Sequence, residues 1–247
     1  MKIHPFLSAI LIAASQVFGQ QAAPTPPILP SGPLLNRAPE YSQWLVTDMV
    51  PGGSKSATDT GLGGIKARVT LRTVITKTGP IVHQESVDSA GPKQDIWIKG
   101  RVATIIFPGW QRPAITPLAQ DYSKVDFPGF EWIAASNFIG IEKLFGTDCL
   151  VFMDGAGGSP NQTSGAAPAS AAPKNGLPAD ADPNRTTAWI ALDSRLPMLL
   201  TGHGELHLYQ FRPPPPAMQT LPAAFESIMQ SSASQTNDLS GRRSDPP

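Results

Sequence analysis

The sequence predicts a mainly β protein built on one antiparallel sheet. Between Lys66 and Phe107, apolar and polar residues alternate with a period of two rather than the 3.6 of a helix. Turn residues at Thr78-Gly-Pro80, at Asp88-Ser-Ala-Gly-Pro-Lys93 and at Gly100 cut that stretch into four short runs rich in Val, Ile and Thr. No helical crossover lies between the runs, which excludes a doubly wound parallel sheet of the nucleotide-binding type.

Taken in order, Met1-Lys-Ile-His4 carries one fixed positive side chain and precedes the apolar run Pro5–Ala14, with Val17 and Gly19 placed for cleavage before Gln20. That layout is a secretory signal peptide over 1–19, too short in its apolar part to span a bilayer. Residues 20–37 form a proline-rich leader of disordered type. One domain of 38–212 follows, interrupted by a Gly-, Ala-, Ser- and Pro-rich insertion over 155–183. Residues 213–247 read as a proline-rich disordered tail, and no segment is apolar for long enough to cross a membrane.

Within the domain, Pro39–Val50 has the spacing of a short helix, with Tyr41, Trp44, Leu45 and Met49 on one face and Pro51-Gly-Gly53 ending it. Ser54–Gly64 is a connection. The run from Lys66 is a strand with Ala67, Val69, Leu71 and Ile75 on one face and Lys66, Arg68, Thr70 and Arg72 on the other. Ile81–Val87, Asp95–Lys99 and Arg101–Phe107 continue a meander. After Pro108-Gly-Trp110 the chain turns irregular, Thr116-Pro117 suits the start of a helical turn, and Phe130, Ile133, Ala134, Asn137 and Ile141 recur at helical spacing. Strands resume at Asp148–Met153 and, past the insertion, over Thr186–Phe211, with tight turns at Asp193-Ser-Arg195 and Gly202-His-Gly204.

The 19 basic and 19 acidic side chains balance, and no basic cluster exists, so nucleic acid is not an expected partner. Cys149 is the only cysteine and sits within Cys149-Leu-Val-Phe-Met153, the setting of a buried thiol. A nucleophile-elbow serine and a phosphate loop are both absent, so the residues favour a binding role over an enzyme and call for no cofactor. His203, Glu205 and His207 alternate along one strand and are the candidate metal ligands for zinc or copper. Trp97, Trp110, Phe130, Trp132 and Trp189 are candidates to line a ligand cavity, core packing being the rival reading. Asp121, Asp126 and Glu131 are the acids from which a hydrolase site would have to be assembled in space.

Trp189-Ile-Ala-Leu-Asp193-Ser-Arg-Leu-Pro197 resembles the late hairpin of LolA-like and LppX-like periplasmic carriers, and Asp95-Ile-Trp-Ile-Lys-Gly-Arg101 resembles their earlier strand pair. The resemblance covers Pro39 to Phe211 without the insertion. It implies a curved antiparallel half-barrel with a few short helices over its concave face. The function it implies is non-covalent binding of a lipid or other apolar ligand there, in the periplasm or outside the cell, with an envelope protein as a further partner. A metal-binding protein and a hydrolase are the alternatives left by the residues themselves.

Overall fold

The computed structural model describes residues 27–51, 67–118, 121, 125–155 and 185–227. The signal peptide, the first seven residues of the leader, the Ser54–Gly64 connection, nearly all of the 155–183 insertion and the end of the tail lie outside them.

Eleven strands form one antiparallel sheet: β1 Tyr41–Pro51, β2 Ala67–Thr78, β3 Ile81–Asp88, β4 Gly91–Lys99, β5 Val102–Ile106, β6 Ala114–Pro117, β7 Phe138–Leu144, β8 Thr147–Met153, β9 Thr187–Ala191, β10 Pro197–Gly202 and β11 Glu205–Arg212. The order across the sheet is β6-β5-β4-β3-β2-β1-β11-β10-β9-β8-β7, so the sheet is open and β6 and β7 are its edges. The meander expected between Lys66 and Phe107 is β2 to β5. The two turns expected late in the chain join β9, β10 and β11, and the second is built on His203 and Gly204, both at positive φ.

Two expected helices are strands. Pro39–Val50 becomes β1, which pairs with β2 on one side and β11 on the other. Both of its faces are covered, so apolar residues fall on both, and the clean alternation that marks a half-wet strand is missing. The helical spacing of Phe130 to Ile141 gives only a 3-10 turn at Ala135–Asn137, followed by β7. The reason is topological. Residues 118–137 join one edge of the sheet to the other, a path of ten strand spacings of about 4.8 Å, roughly 48 Å when followed along the sheet. A helix rising 1.5 Å per residue would cover only about 30 Å with the same residues, whereas extended chain reaches about 66 Å. Thr116-Pro117 likewise ends β6 instead of opening a helical turn.

The sheet has two unlike faces. On the first, the crossover brings Phe127, Phe130, Trp132 and Ile133 onto Trp44, Leu150, Phe152, Ile190 and Leu200. Leu29, Leu34 and Leu35 of the leader join the same cluster, tied down where Asn36 N–H donates to Arg195 O at 2.7 Å. Irregular chain thus covers this face where short helices were expected. Among the described residues the 3-10 turn and one helical turn at 223–227 are the whole helical content.

The second face carries Met49, Leu206, Leu208, Leu199, Trp189 and Val151 as a buried belt. The described part of the C-terminal segment lies on it: Tyr41 Oη–H donates to Pro215 O at 2.6 Å, and Phe225 is buried. Of the described residues of the 213–247 tail, Pro215 and Phe225 are buried and most others are exposed.

A β-bulge decides which β2 side chains reach which face. Asp48 pairs with Leu71 and Met49 with Val69, leaving Thr70 with no partner, and its hydroxyl donates to Asp48 O at 3.1 Å. The extra residue reverses the facing of the strand. Ala67 and Val69 therefore share the second face with Arg72 and Val74, while Leu71 and Ile75 turn to the first, correcting the single alternation expected from the sequence.

Candidate functional site

A groove of about 930 Å³ lies on the second face, lined by β1, β2, β3 and β11. Leu45 and Met49 of β1, Val69 and Val74 of β2, Val87 of β3 and Leu208 of β11 make its floor aliphatic. These positions are neighbours by register: Leu45 pairs with Val74, Thr47 with Arg72 and Leu208, and Arg72 with Val87. Arg68, Arg72, Arg212 and Glu85 supply its charge. Val87 is 45 % exposed, an aliphatic side chain held open to solvent.

A smaller cavity of about 210 Å³ lies on the first face between the sheet and the crossover, lined by Trp44, Val46, Ile75, Val82, Val125 and Tyr209 among others. It is closed by a buried clasp. Lys77 Nζ donates to Asp126 Oδ1 at 2.6 Å and to Ala38 O at 3.3 Å, with Lys77 and Asp126 side chains 3 % and 2 % exposed. The other carboxylate oxygen of Asp126 accepts from Ala38 N–H and from Arg37 Nε, both at 3.1 Å. One carboxylate thereby ties leader, β2 and crossover together. Burial pushes the Tyr209 phenol well above its ordinary range, aided by the charges of Asp48 and Glu131.

The five aromatic candidates do not converge. Phe130 is buried on the first face, and Trp132 is partly buried there, its Nε1–H donating to Gly129 O at 2.9 Å. Trp189 is buried on the second face with its Nε1–H given to Glu142 Oε2 at 3.2 Å. Trp97 stacks on His83 at a centroid distance of 4.0 Å under the C-terminal segment, and Trp110 is 59 % exposed against Phe107. None of the five lines the groove or the clasped cavity.

The histidine strand is arranged for ion pairing. His207 Nδ1–H donates to Asp48 Oδ1 at 2.8 Å, while its Nε2 stands 3.7 Å from Glu205. The Asp48 bond raises the His207 pKa above its ordinary value, against the effect of burial. His203 sits in the hairpin turn. No group of three or more His, Cys, Asp and Glu residues gathers to hold a metal ion among the described residues. Of the acids weighed for hydrolysis, Asp126 is spent in the clasp and Glu131 accepts from Gly129 N–H at 2.8 Å. Burial pushes the Cys149 thiol up to about 11, the state of an inert buried group.

A second histidine cluster escaped the sequence reading. His83 Nε2–H donates to Asp95 Oδ1 at 2.7 Å, leaving Nδ1 to accept from Gln219 of the C-terminal segment at 3.3 Å. Only the alternation of His83 with Glu85 along β3 hinted at it.

No protein-family model and no curated protein matches the chain. Among solved structures the chain is similar to a LolA superfamily protein. It is NE2245 from Nitrosomonas europaea, at 11% identity over 75% of this chain and 90% of that chain, with a TM-score of 0.31.

Proposed function

We propose that this protein is an exported binding protein of the cell envelope that holds an apolar, acyl-type ligand non-covalently, on an open sheet curved as a half-barrel. The groove carries this reading. Its volume of about 930 Å³ falls within the range of small-molecule sites, roughly 300–1,000 Å³, and its floor is a contiguous set of aliphatic side chains partly open to water. Covering such a floor stabilises a complex by about 0.8 kcal/mol for each methylene removed from water. A catalytic reading has no comparable support, because the acids and the thiol weighed for it are buried or engaged.

The test is native mass spectrometry with lipid extraction on protein purified from its own host. An extractable acyl ligand at near one per chain is expected, on a polypeptide whose mass begins at Gln20. A second arm uses Val74→Asp and Val87→Asp, which put charge into the groove floor. Loss of a bound fluorescent fatty probe with an unchanged far-UV spectrum is the expected result. A bare protein from the host that also ignores the probe would remove the proposal.

A further inference from the structure

The C-terminal segment is seated on the sheet in the manner of a bound peptide. It leaves β11 at Arg212 through the four prolines 213–216 and crosses the second face from β1 to β4. Tyr41 Oη–H of β1 donates to Pro215 O at 2.6 Å, and Gln219 Nε2–H donates to His83 Nδ1 of β3 at 3.3 Å. Glu226 then stands 3.9 Å from Lys99 of β4.

Register sets the seat out as two rows across the sheet, since directly opposed residues of paired strands share a face. Tyr41, Thr78, Ile81 and Lys99 form the first row. Gln43, Thr76, His83, Trp97 and Thr104 form the second, with the His83 and Trp97 rings stacked at 4.0 Å. Leu45 and Val74, one row further along the same face, begin the groove.

The segment sits on this shelf by a few anchors, Pro215 and Phe225 being buried and Gln219 half-buried between them. In the same two rows the hydroxyls of Thr78 and Thr104 are buried with no hydrogen-bond partner among the described residues, and so is Oε1 of Gln219. Each of these groups has given up water without a replacement, which weakens the seated state while the shelf itself is held by the sheet.

We propose that the shelf of Tyr41, His83 and Trp97 is a recognition site for a proline-rich peptide, filled here by the chain's own tail, which a proline-rich segment of another polypeptide displaces. Such segments leave their carbonyls free of internal hydrogen bonds, and aromatic surfaces with a donor at hand are the usual way of reading them. The Tyr41 bond to Pro215 O is a contact of that kind. Proline rings fix φ before docking, so little conformational freedom is lost in the complex. This site does not depend on what the groove holds.

The experiment uses the full-length chain and a fluorescently labelled synthetic peptide of residues 213–227. In the wild type the tethered tail competes at high effective concentration, so the peptide should bind weakly. Phe225→Asp puts a charge at the buried anchor of the tail and should raise peptide affinity about tenfold or more. Gln219→Ala with Glu226→Ala loosens the tail while keeping Phe225, so it gives the same reading even where Phe225→Asp does not fold. Adding Tyr41→Phe to a loosened variant should lower affinity about fivefold, the effect of one hydrogen bond. Excess peptide should also speed hydrogen exchange of residues 213–227 in the wild type. Equal affinity in wild type and loosened variants, or no binding to a variant whose tail exchanges as free chain, would overturn the proposal. So would a peptide with alanine in place of every proline that competed as well as the native one. None of these results touches the reading of the groove.

Discussion

Removing the Asp126 carboxylate should unfasten the first face of the sheet. At an effective dielectric constant of about 20, opposite charges 2.6 Å apart attract by about 6 kcal/mol. Desolvating the two ions opposes this by several kcal/mol each, so the intact pair adds little net stability. Loss of one partner is a different matter. In Asp126→Ala the Lys77 ammonium stays buried with only Ala38 O at 3.3 Å, and Ala38 N–H loses the Asp126 acceptor. The expected loss is about 3–5 kcal/mol, a large share of the roughly 5–15 kcal/mol that holds a domain folded. Lys77→Met should cost only about 1–2 kcal/mol, because Asp126 keeps Arg37 and the Ala38 N–H. The double variant should then be no less stable than Asp126→Ala alone, since the orphaned ammonium is gone. Urea unfolding followed by tryptophan fluorescence reads all three, with Trp44 in the wall of the same cavity as reporter. If Lys77→Met proved the costlier single change, or if Asp126→Ala lay within about 1 kcal/mol of wild type, the clasp reasoning would be wrong.

His207, whose folded pKa is raised by Asp48, contributes stability that is complete below the unfolded value of about 6.5 and is lost as pH rises through the folded value. The difference in urea midpoint between wild type and His207→Gln should therefore shrink from about pH 6 to about pH 9; a gap that widened over that window would contradict the assignment. Cys149, with its thiol pushed up to about 11, should resist iodoacetamide at about pH 8 in the native protein and react fully in urea. Rapid native labelling, read by intact mass, would show the thiol to be reachable.

Much of the sheet was legible because β2 to β5 are short runs rich in β-branched residues separated by glycine-containing turns. β1 was not, because a central strand covered on both faces carries Trp44 and Val46 on one side and Leu45 and Met49 on the other. That pattern fits a helix equally well. The crossover was misread for a reason no local spacing holds: its length is set by the distance between edges that the rest of the chain defines. The groove was hidden in the same way. Its walls come from strands more than a hundred residues apart, and the Thr70 bulge moved Arg72 and Val74 onto the face of Val69 after an alternation that had separated them. The histidine strand drew attention through its spacing, but the carboxylate that partners His207 is Asp48, supplied by the other end of the domain.

The pairing of β1 with β11 carries a consequence for how the chain is made. The strand that leaves the ribosome first among the eleven waits for the last, across the register Gln43↔Arg212 to Met49↔Leu206. Until then the growing polypeptide can zip β1 to β6 as one ribbon and β7 to β10 as another, each ending in an unsatisfied inner border. Such late, long-range closure slows folding and leaves edges open to wrong partners. A permuted version, with the ends of β1 and β11 bridged and new termini placed in the 118–125 crossover, would make both inner strands neighbours in synthesis and should close faster.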